Sequence, residues 1–85
     1  MFERKATIAS RIGLHARPAA IFAEAAGKVP VEVTIALDGD SADDAMDASS
    51  ILSLMSLGAA NGDVVVLRAD GPGAADALDA LVKIL

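Results

Sequence analysis

The 85-residue sequence contains no cysteine, tryptophan or tyrosine, and its only aromatic residues are Phe2 and Phe22. The lack of cysteine excludes a disulfide framework and any thiolate-bound zinc or iron–sulfur site. The scarcity of aromatic residues means that a core must be built from alanine, valine, leucine, isoleucine and methionine. Because 54% of the residues are hydrophobic, a globular fold is expected, and the length predicts one domain spanning residues 1–85.

Long apolar runs and an excess of positive charge are also missing. No apolar run approaches the roughly 20 residues that cross a bilayer, and Met1 to Lys5 lack the basic-then-apolar order of a signal peptide. We therefore expect a cytoplasmic protein without membrane insertion. The formal net charge of −5 argues against nucleic acid as a partner. Five aspartates crowd residues 38–47, and we assign them no function, whereas Arg11, His15 and Arg17 form a local basic cluster.

The apolar periodicity predicts the order strand, helix, strand, strand, helix, strand, helix. The predicted strands are 2–9, 31–37, 45–48 and 64–69. The first predicted helix covers 16–26, the second is capped by Ser49 or Ser50 and ends near Leu57, and the last starts at Gly71-Pro72. We expect Gly27 to end the first helix and Pro72 to lie in the first turn of the last. Each helix has one apolar stripe and each strand one apolar face, with Phe2, Ala6 and Ile8 on the apolar face of the first strand. This pattern predicts an α+β fold of two layers, an antiparallel four-stranded sheet with three helices on one face.

The segment most informative about function is Gly13–Ala20, which reads GLHARPAA and contains the only histidine. His15 is expected at the N-cap of the first helix, where the free backbone amides of Ala16 and Arg17 would attract an anion. The Arg17 guanidinium can grip phosphate oxygens through two hydrogen bonds. A neutral imidazole, with an ordinary pKa of about 6.5, is a nucleophile. The segment therefore predicts a phosphoryl group carried on His15 and stabilised by Arg17.

Other chemistry is disfavoured at this segment. A nucleophilic hydrolase is disfavoured, because the chain has no cysteine and no local base that could activate water. A metal site is disfavoured because the lone histidine has no second ligand at a suitable spacing. We expect no cofactor. In an arbitrary small protein a lone histidine is more often structural or simply exposed, and only the surrounding residues favour the functional interpretation.

Over essentially its whole length the chain resembles HPr, the histidine-containing phosphocarrier family of the bacterial phosphoenolpyruvate-dependent sugar phosphotransferase system. The resemblance rests on Gly13–Ala19 and on Ser50–Gly58, which reads SILSLMSLG. It implies that His15 accepts phosphate on Nδ1 from phosphorylated enzyme I and passes it to IIA domains of sugar permeases. It also implies the strand order 1-4-2-3 and a stoichiometric carrier rather than an enzyme.

Ser50 matches the regulatory serine that an ATP-dependent kinase phosphorylates in part of the HPr family. A phosphate there would add roughly −1.5 to −2 charge and repel acidic partners. Ser49 and Ser53 depart from the residues usual around that target, and Asp47-Ala48-Ser49-Ser50 is similar to actinobacterial members, in which the kinase is not expected. We therefore favour a plain helix cap for Ser50 over a regulatory site.

The second predicted helix also offers a docking surface. Leu54 and Leu57 are expected to face the core, while Ile51, Leu52 and Met55 lie on other faces and would stay exposed. Ala20 on the first helix could complete this surface. The alternative is that Ile51, Leu52 and Met55 belong to the core.

Two further hypotheses compete with the sugar-transport carrier, which we expect to be a monomer. The first is a regulatory, nitrogen-type paralogue that passes phosphate to a non-sugar acceptor, which the motif does not distinguish. The second is a binding module that keeps the fold without phosphotransfer, and the presence of His15 argues against it.

Overall fold

The computed structural model describes residues 2–8, 16–40, 42–60 and 62–84, without the side chains of residues 16–18 and 42. These residues form the strands β1 (Phe2–Thr7), β2 (Val33–Leu37), β3 (Met46–Asp47) and β4 (Val64–Ala69), and the helices α1 (Ala16–Lys28), α2 (Ile51–Leu57) and α3 (Ala74–Val82). A short 3₁₀ helix, Ala42–Asp44, lies between β2 and β3. The succession of strands and helices is the predicted one.

The four strands form one antiparallel sheet in the order β1-β4-β2-β3, as the family resemblance implied. Strand β4 lies between β1 and β2, and its first four residues, Val64–Leu67, are apolar on both faces. Val65 and Leu67 are buried in the main core, while Val66, which alternation places on the opposite face, is buried beside its cross-strand partner Ala36. Burial on both faces in this central position explains why the residues before Arg68 form an apolar run rather than an alternating pattern.

The core lies between the sheet and the three helices. Phe22 of α1, Leu54 of α2 and Leu78 of α3 have no exposed surface, and they join Ile35 and Leu67 of the sheet in one apolar cluster. Full burial of a side chain of this size stabilises a fold by about 1.5–3 kcal/mol. The fold class predicted from the sequence, an open-faced α+β sandwich, is therefore confirmed.

The end of α1 differs from the prediction, because the helix continues through Gly27 to Lys28. Gly27 does not have a positive φ, so it does not act as a left-handed helix stop. Lys28 Nζ lies 3.0 Å from Glu24 Oε1, one turn earlier on the helix. Pro30 is the better explanation for the end, because it has no amide proton and disfavours helical geometry at the residue before it.

The start of α3 also differs, because the helix begins at Ala74 and Pro72 lies before it. Gly73 occupies the N-cap position with φ of 81°, in the left-handed region. A residue in that conformation does not continue a right-handed helix, so the first turn starts after Gly73 and not at Pro72.

Three strands are shorter than predicted, and for two of them the length of β4 gives the reason. Val33 pairs with Ala69, the last residue of β4, and Thr7 pairs with Val64, the first. Strand β4 extends no further in either direction, so β2 begins at Val33 and β1 ends at Thr7. Phe2, predicted to face the core, is 45% exposed at the outer end of the edge strand β1. The third strand is limited to Met46–Asp47.

Candidate functional site

The predicted phosphoryl acceptor, His15, and the loop that precedes it lie outside the described residues, but the chain is anchored immediately before this stretch. Ile8 is only 1% exposed. Its backbone amide donates to the Asp63 carbonyl at 2.8 Å, and its carbonyl accepts from the Gly62 amide at 2.9 Å. These bonds hold the end of β1 against the turn before β4.

The chain is anchored again immediately after His15, because α1 begins at Ala16 as predicted. Ala19 and Phe22, in the first two turns, are fully buried and hold the start of α1 against the core. The first backbone amides of a helix have no partner within the helix, and no acidic residue lies in the first turn of α1. The residue after His15 therefore opens a helix end that attracts anions, with a typical dipole contribution of about 0.3–1 kcal/mol.

The backbone of Arg17 lies in the first turn of α1, and the structure does not describe the Arg17 side chain. The predicted role of Arg17 in binding phosphate oxygens therefore stays a prediction. The same holds for the roles of the Ala16 and Arg17 amides, whose position at the helix start is nevertheless the one that the sequence indicates.

Ser50 is the N-cap of α2. It has extended backbone angles, φ −101° and ψ 118°, and its Oγ accepts a hydrogen bond from the Ser53 amide at 3.3 Å. The Ser50 carbonyl accepts from the Leu54 amide at 3.0 Å, which starts the regular helical pattern. The favoured interpretation of Ser50 as a helix cap is confirmed by this geometry.

Ser49, the other candidate cap, instead binds Asp47, the last residue of β3. Its hydroxyl and its amide both donate to Asp47 Oδ1, at 2.7 Å and 2.9 Å. These two bonds, the hydroxyl bond first, lower the pKa of the Asp47 carboxyl below its ordinary value, while slight burial opposes them. These bonds therefore favour the ionised form of the Asp47 carboxyl at the end of β3.

The exposed side of α2 carries three large apolar residues, Ile51, Leu52 and Met55, which we call the α2 apolar surface. Their exposed fractions are 43%, 78% and 45%, whereas Leu54 on the inner side is fully buried. The prediction that these three residues stay exposed is confirmed, and the alternative that they belong to the core is wrong. Helix α1 packs against α2, and Ala20 of α1 is half-buried.

Ile21 of α1 is a further exposed apolar residue that the sequence analysis did not single out. It is 52% exposed, although its neighbours along the helix, Ala20 and Phe22, are half-buried and buried. The signal was present in the sequence, because Ile21 falls outside the predicted buried stripe of Ala19, Phe22 and Ala26. Both α1 and α2 therefore present large apolar side chains to solvent.

The part of the chain that the structure describes holds neither a metal-binding cluster nor a helix able to span a membrane. Within residues 2–8, 16–40, 42–60 and 62–84, no group of three or more acidic or histidine side chains is placed to hold a metal ion. None of the helices in the same ranges is both long enough and apolar enough to cross a membrane.

Comparison with known proteins relates the whole chain to one family. The family model PTS-HPr, described as "PTS HPr component phosphorylation site", matches residues 2–85. The phosphocarrier protein HPr of Streptomyces coelicolor is 43% identical over 86 aligned residues, which cover 100% of this chain and 88% of that protein. This relative is an actinobacterial protein, in agreement with the similarity noted around Asp47 and Ser50.

Solved structures extend the likeness to the fold. A phosphocarrier protein HPr from Bacillus anthracis superposes with a TM-score of 0.87 at 30% identity, covering 99% of this chain and 95% of that one. An HPr dimer from Thermoanaerobacter tengcongensis superposes with a TM-score of 0.68 at 37% identity, covering 99% and 92%.

Proposed function

The chain belongs to the PTS-HPr family, and on that premise we propose that it carries a phosphoryl group on His15 from phosphorylated enzyme I to IIA domains of sugar permeases. The observation that carries the proposal is the start of α1 at Ala16, which follows His15 directly and has no acidic residue in its first turn. A helix end with unpaired amides beside an imidazole suits an anion that is bound and released repeatedly.

The chemical step is an exchange of bonds to phosphorus. His15 Nδ1 attacks the phosphoryl group, the bond between phosphorus and the enzyme I donor breaks, and the new bond between phosphorus and Nδ1 forms. The reverse exchange hands the group to the acceptor on IIA and restores the imidazole. The Ala16 and Arg17 amides and the Arg17 guanidinium stabilise the negative phosphoryl oxygens during both exchanges.

Partner docking takes place on the α2 apolar surface together with Ala20. The most exposed member of that surface, Leu52, has 78% of its area in solvent, although burying it against a partner would be favourable. Met55 adds a flexible thioether that adapts to more than one partner. Such a surface suits a carrier that must bind a donor and an acceptor in turn.

Ser50 acts as the cap of α2, and regulation by a kinase is the less favoured role. The hydroxyl oxygen already accepts a hydrogen bond from the Ser53 amide. Modification of that oxygen would therefore act on the first turn of α2, which carries Ile51 and Leu52 of the α2 apolar surface.

The protein works as a stoichiometric carrier in the cytoplasm, in one domain spanning residues 1–85, without a catalytic reaction of its own. We propose a monomer, because a carrier must leave each partner quickly and keep its docking surface free. The oligomeric state needs a test, because one relative has a dimeric HPr structure. Size-exclusion chromatography with light scattering measures it, and a stable dimer at micromolar concentration would contradict the monomer.

The decisive experiment mixes the protein with phosphoenolpyruvate, magnesium and enzyme I, and records the intact mass. One added phosphoryl group is expected, labile in acid and stable in alkali, and absent in His15→Ala. Arg17→Ala should fold normally and accept phosphate more slowly. Phosphorylation of His15→Ala to the same extent would reject the site, and an unchanged rate in Arg17→Ala would remove Arg17 from the mechanism.

A second arm separates sugar transport from the regulatory alternative. The phosphorylated protein is offered in parallel to IIA domains of sugar permeases and to a nitrogen-type IIA protein. Faster transfer to the sugar IIA domains is expected, and a preference for the nitrogen-type acceptor would replace the proposed function by the regulatory one.

A further inference from the structure

A cavity of about 450 Å³ lies where α1 ends and β2 begins, beside the turn from β3 into α2. It is lined by the chain from Ala26 to Thr34 except Lys28, and by Asp47 and Ser49. Its volume falls in the range of about 300–1,000 Å³ typical of small-molecule sites. The cavity shares no residue with α2 or with the first turn of α1, so it is separate from the proposed transfer site.

The charged residues that line the cavity are all acidic. Glu32 and Asp47 contribute carboxylates, and none of the described residues in its lining is basic. Two basic residues lie close to this lining, and both are paired elsewhere. Lys28, which follows Gly27 in the chain, is paired with Glu24 at 3.0 Å, and Arg68, which lies opposite Thr34 in the sheet, is paired with Glu3 at 3.0 Å. Asp47 is directly opposite Thr34 in the sheet, and both line the cavity, so this carboxylate belongs to the cavity wall by strand register.

The helix that ends at the cavity adds further negative potential. Ala26 and Gly27 belong to the last turn of α1, whose carbonyl groups have no partner within the helix. Pro30 stands four residues after Ala26, where a longer helix would supply an amide donor, and proline has none. The C-terminal end of the α1 dipole therefore points its partial negative charge at the same cavity.

The rest of the lining is mixed. Thr34 and Ser49 are polar, and the partly exposed Val29 and Val31 supply the aliphatic part beside the buried Val33. The cavity thus combines an aliphatic wall with two carboxylates and a helix C-terminus, and this pairing is complementary to a molecule with a hydrocarbon chain and a positively charged end. A divalent metal ion fits less well, because only two carboxylates are available and metals of this kind prefer more oxygen ligands.

We propose that this cavity binds a linear alkylammonium, with its methylene chain against the valine wall and its ammonium group between Glu32 and Asp47. The same chemistry is offered by a free aliphatic diamine and by a lysine side chain of a protein partner. The two sources differ in what lies at the far end of the hydrocarbon chain, which is a second ammonium group in one and a peptide backbone in the other.

The test is a titration of the intact, isotope-labelled protein with 1,4-diaminobutane at low ionic strength, followed by backbone amide shifts. Saturable shifts confined to residues 26–34 and 47–49 are expected, with no such shifts from 1-butanol, which has no charge. A parallel titration with Nα-acetyl-lysine amide distinguishes the two sources. Tighter binding of the diamine would indicate a free diamine as the ligand, and tighter binding of the lysine derivative would indicate a lysine side chain of a protein partner. Shifts of equal size with 1-butanol, or no saturation with either amine, would overturn the proposal.

Matched variants locate the charge that is responsible. Glu32→Gln and Asp47→Asn should each weaken binding by about threefold to fivefold, a size typical of a partly exposed ion pair. Asp40→Asn removes the same charge from an exposed residue outside the cavity and should leave the affinity unchanged. An equal loss in Asp40→Asn would show that only the net charge matters, and stronger, similarly placed shifts with Mg²⁺ would replace the alkylammonium by a metal ion.

Discussion

Ser50 Oγ accepts a hydrogen bond from the Ser53 backbone amide at 3.3 Å, so the serine that matches the family's regulatory position is built into the start of α2. The same helix carries the α2 apolar surface on its outer side and the buried Leu54 on its inner side. The hydroxyl that a kinase would modify therefore supports the helix on which we propose that partners dock.

Substitutions of Ser50 should separate its role as the helix cap of α2 from the effect of a negative charge at that position. Ser50→Ala is expected to lower the free energy of unfolding by about 1 kcal/mol, because the Ser53 amide loses its acceptor. Ser50→Asp and Ser50→Asn should both retain most of the stability, since both side chains are good caps. Urea unfolding measures the three values, and Ser56→Ala, an exposed position on the same helix, serves as the control. A loss in Ser56→Ala as large as that in Ser50→Ala would contradict the cap.

The same pair of caps tests the effect of a negative charge on transfer. Because Asp and Asn differ mainly in charge at Ser50, we expect slower phosphate acceptance from enzyme I in Ser50→Asp than in Ser50→Asn. The rates follow from the intact-mass assay over time. Equal rates would show that charge at this helix end does not affect docking.

Leu52 should matter for docking and not for stability. Leu52→Asn is expected to leave the free energy of unfolding within about 0.5 kcal/mol, because the side chain is 78% exposed. Its transfer rate should fall by about fivefold or more, as expected when an apolar interface contact worth over about 1 kcal/mol is removed. Ile84→Asn, at an exposed residue just after α3, is the matched control and should transfer normally. A similar loss in both variants would remove the α2 apolar surface from the mechanism.

Two glycines should respond in opposite ways to alanine. Gly27→Ala is expected to stabilise the protein by about 0.8–1 kcal/mol, because Gly27 is helical and a Cβ there meets no atom within 4 Å. Gly58→Ala is expected to destabilise it by about 1–2 kcal/mol, because Gly58 has φ of 69° at the end of α2. Thermal and urea unfolding measure both changes, and destabilisation by Gly27→Ala would show that α1 does not extend through this residue in solution.

Ser49→Ala should raise the pKa of the Asp47 carboxyl toward its ordinary value of about 3.9, because the hydroxyl donor is lost. In the unmodified protein the folded-state pKa is the lower one. The resulting stabilisation is therefore present above the unfolded-state pKa and is lost as the pH falls through the folded-state pKa. Carboxyl carbon shifts followed against pH measure the pKa, and unfolding at pH 7 and in acid should show a smaller loss of stability on acidification in Ser49→Ala. An unchanged Asp47 pKa in the variant would contradict the hydrogen bonds as its cause.

The order of elements, the two-layer α+β class and the start of α1 at Ala16 were predictable from the sequence. These features depend on local patterns, namely apolar periods of two or of about 3.6 residues and the breaks between them. The exposure of Leu52 and the burial of Leu54 also followed from helical periodicity, because residues two positions apart lie on nearly opposite sides of a helix.

The sequence by itself thus determined which segments become strands and helices and which histidine is the candidate phosphoryl acceptor. Only the tertiary structure decided where β1 and β4 stop pairing and why Val66 is buried on the second face of the sheet. It also decided that Glu32 and Asp47, 15 positions apart in the chain, line one cavity. Such features depend on which strands lie side by side, and strand pairing is set by contacts between distant residues that no local pattern encodes.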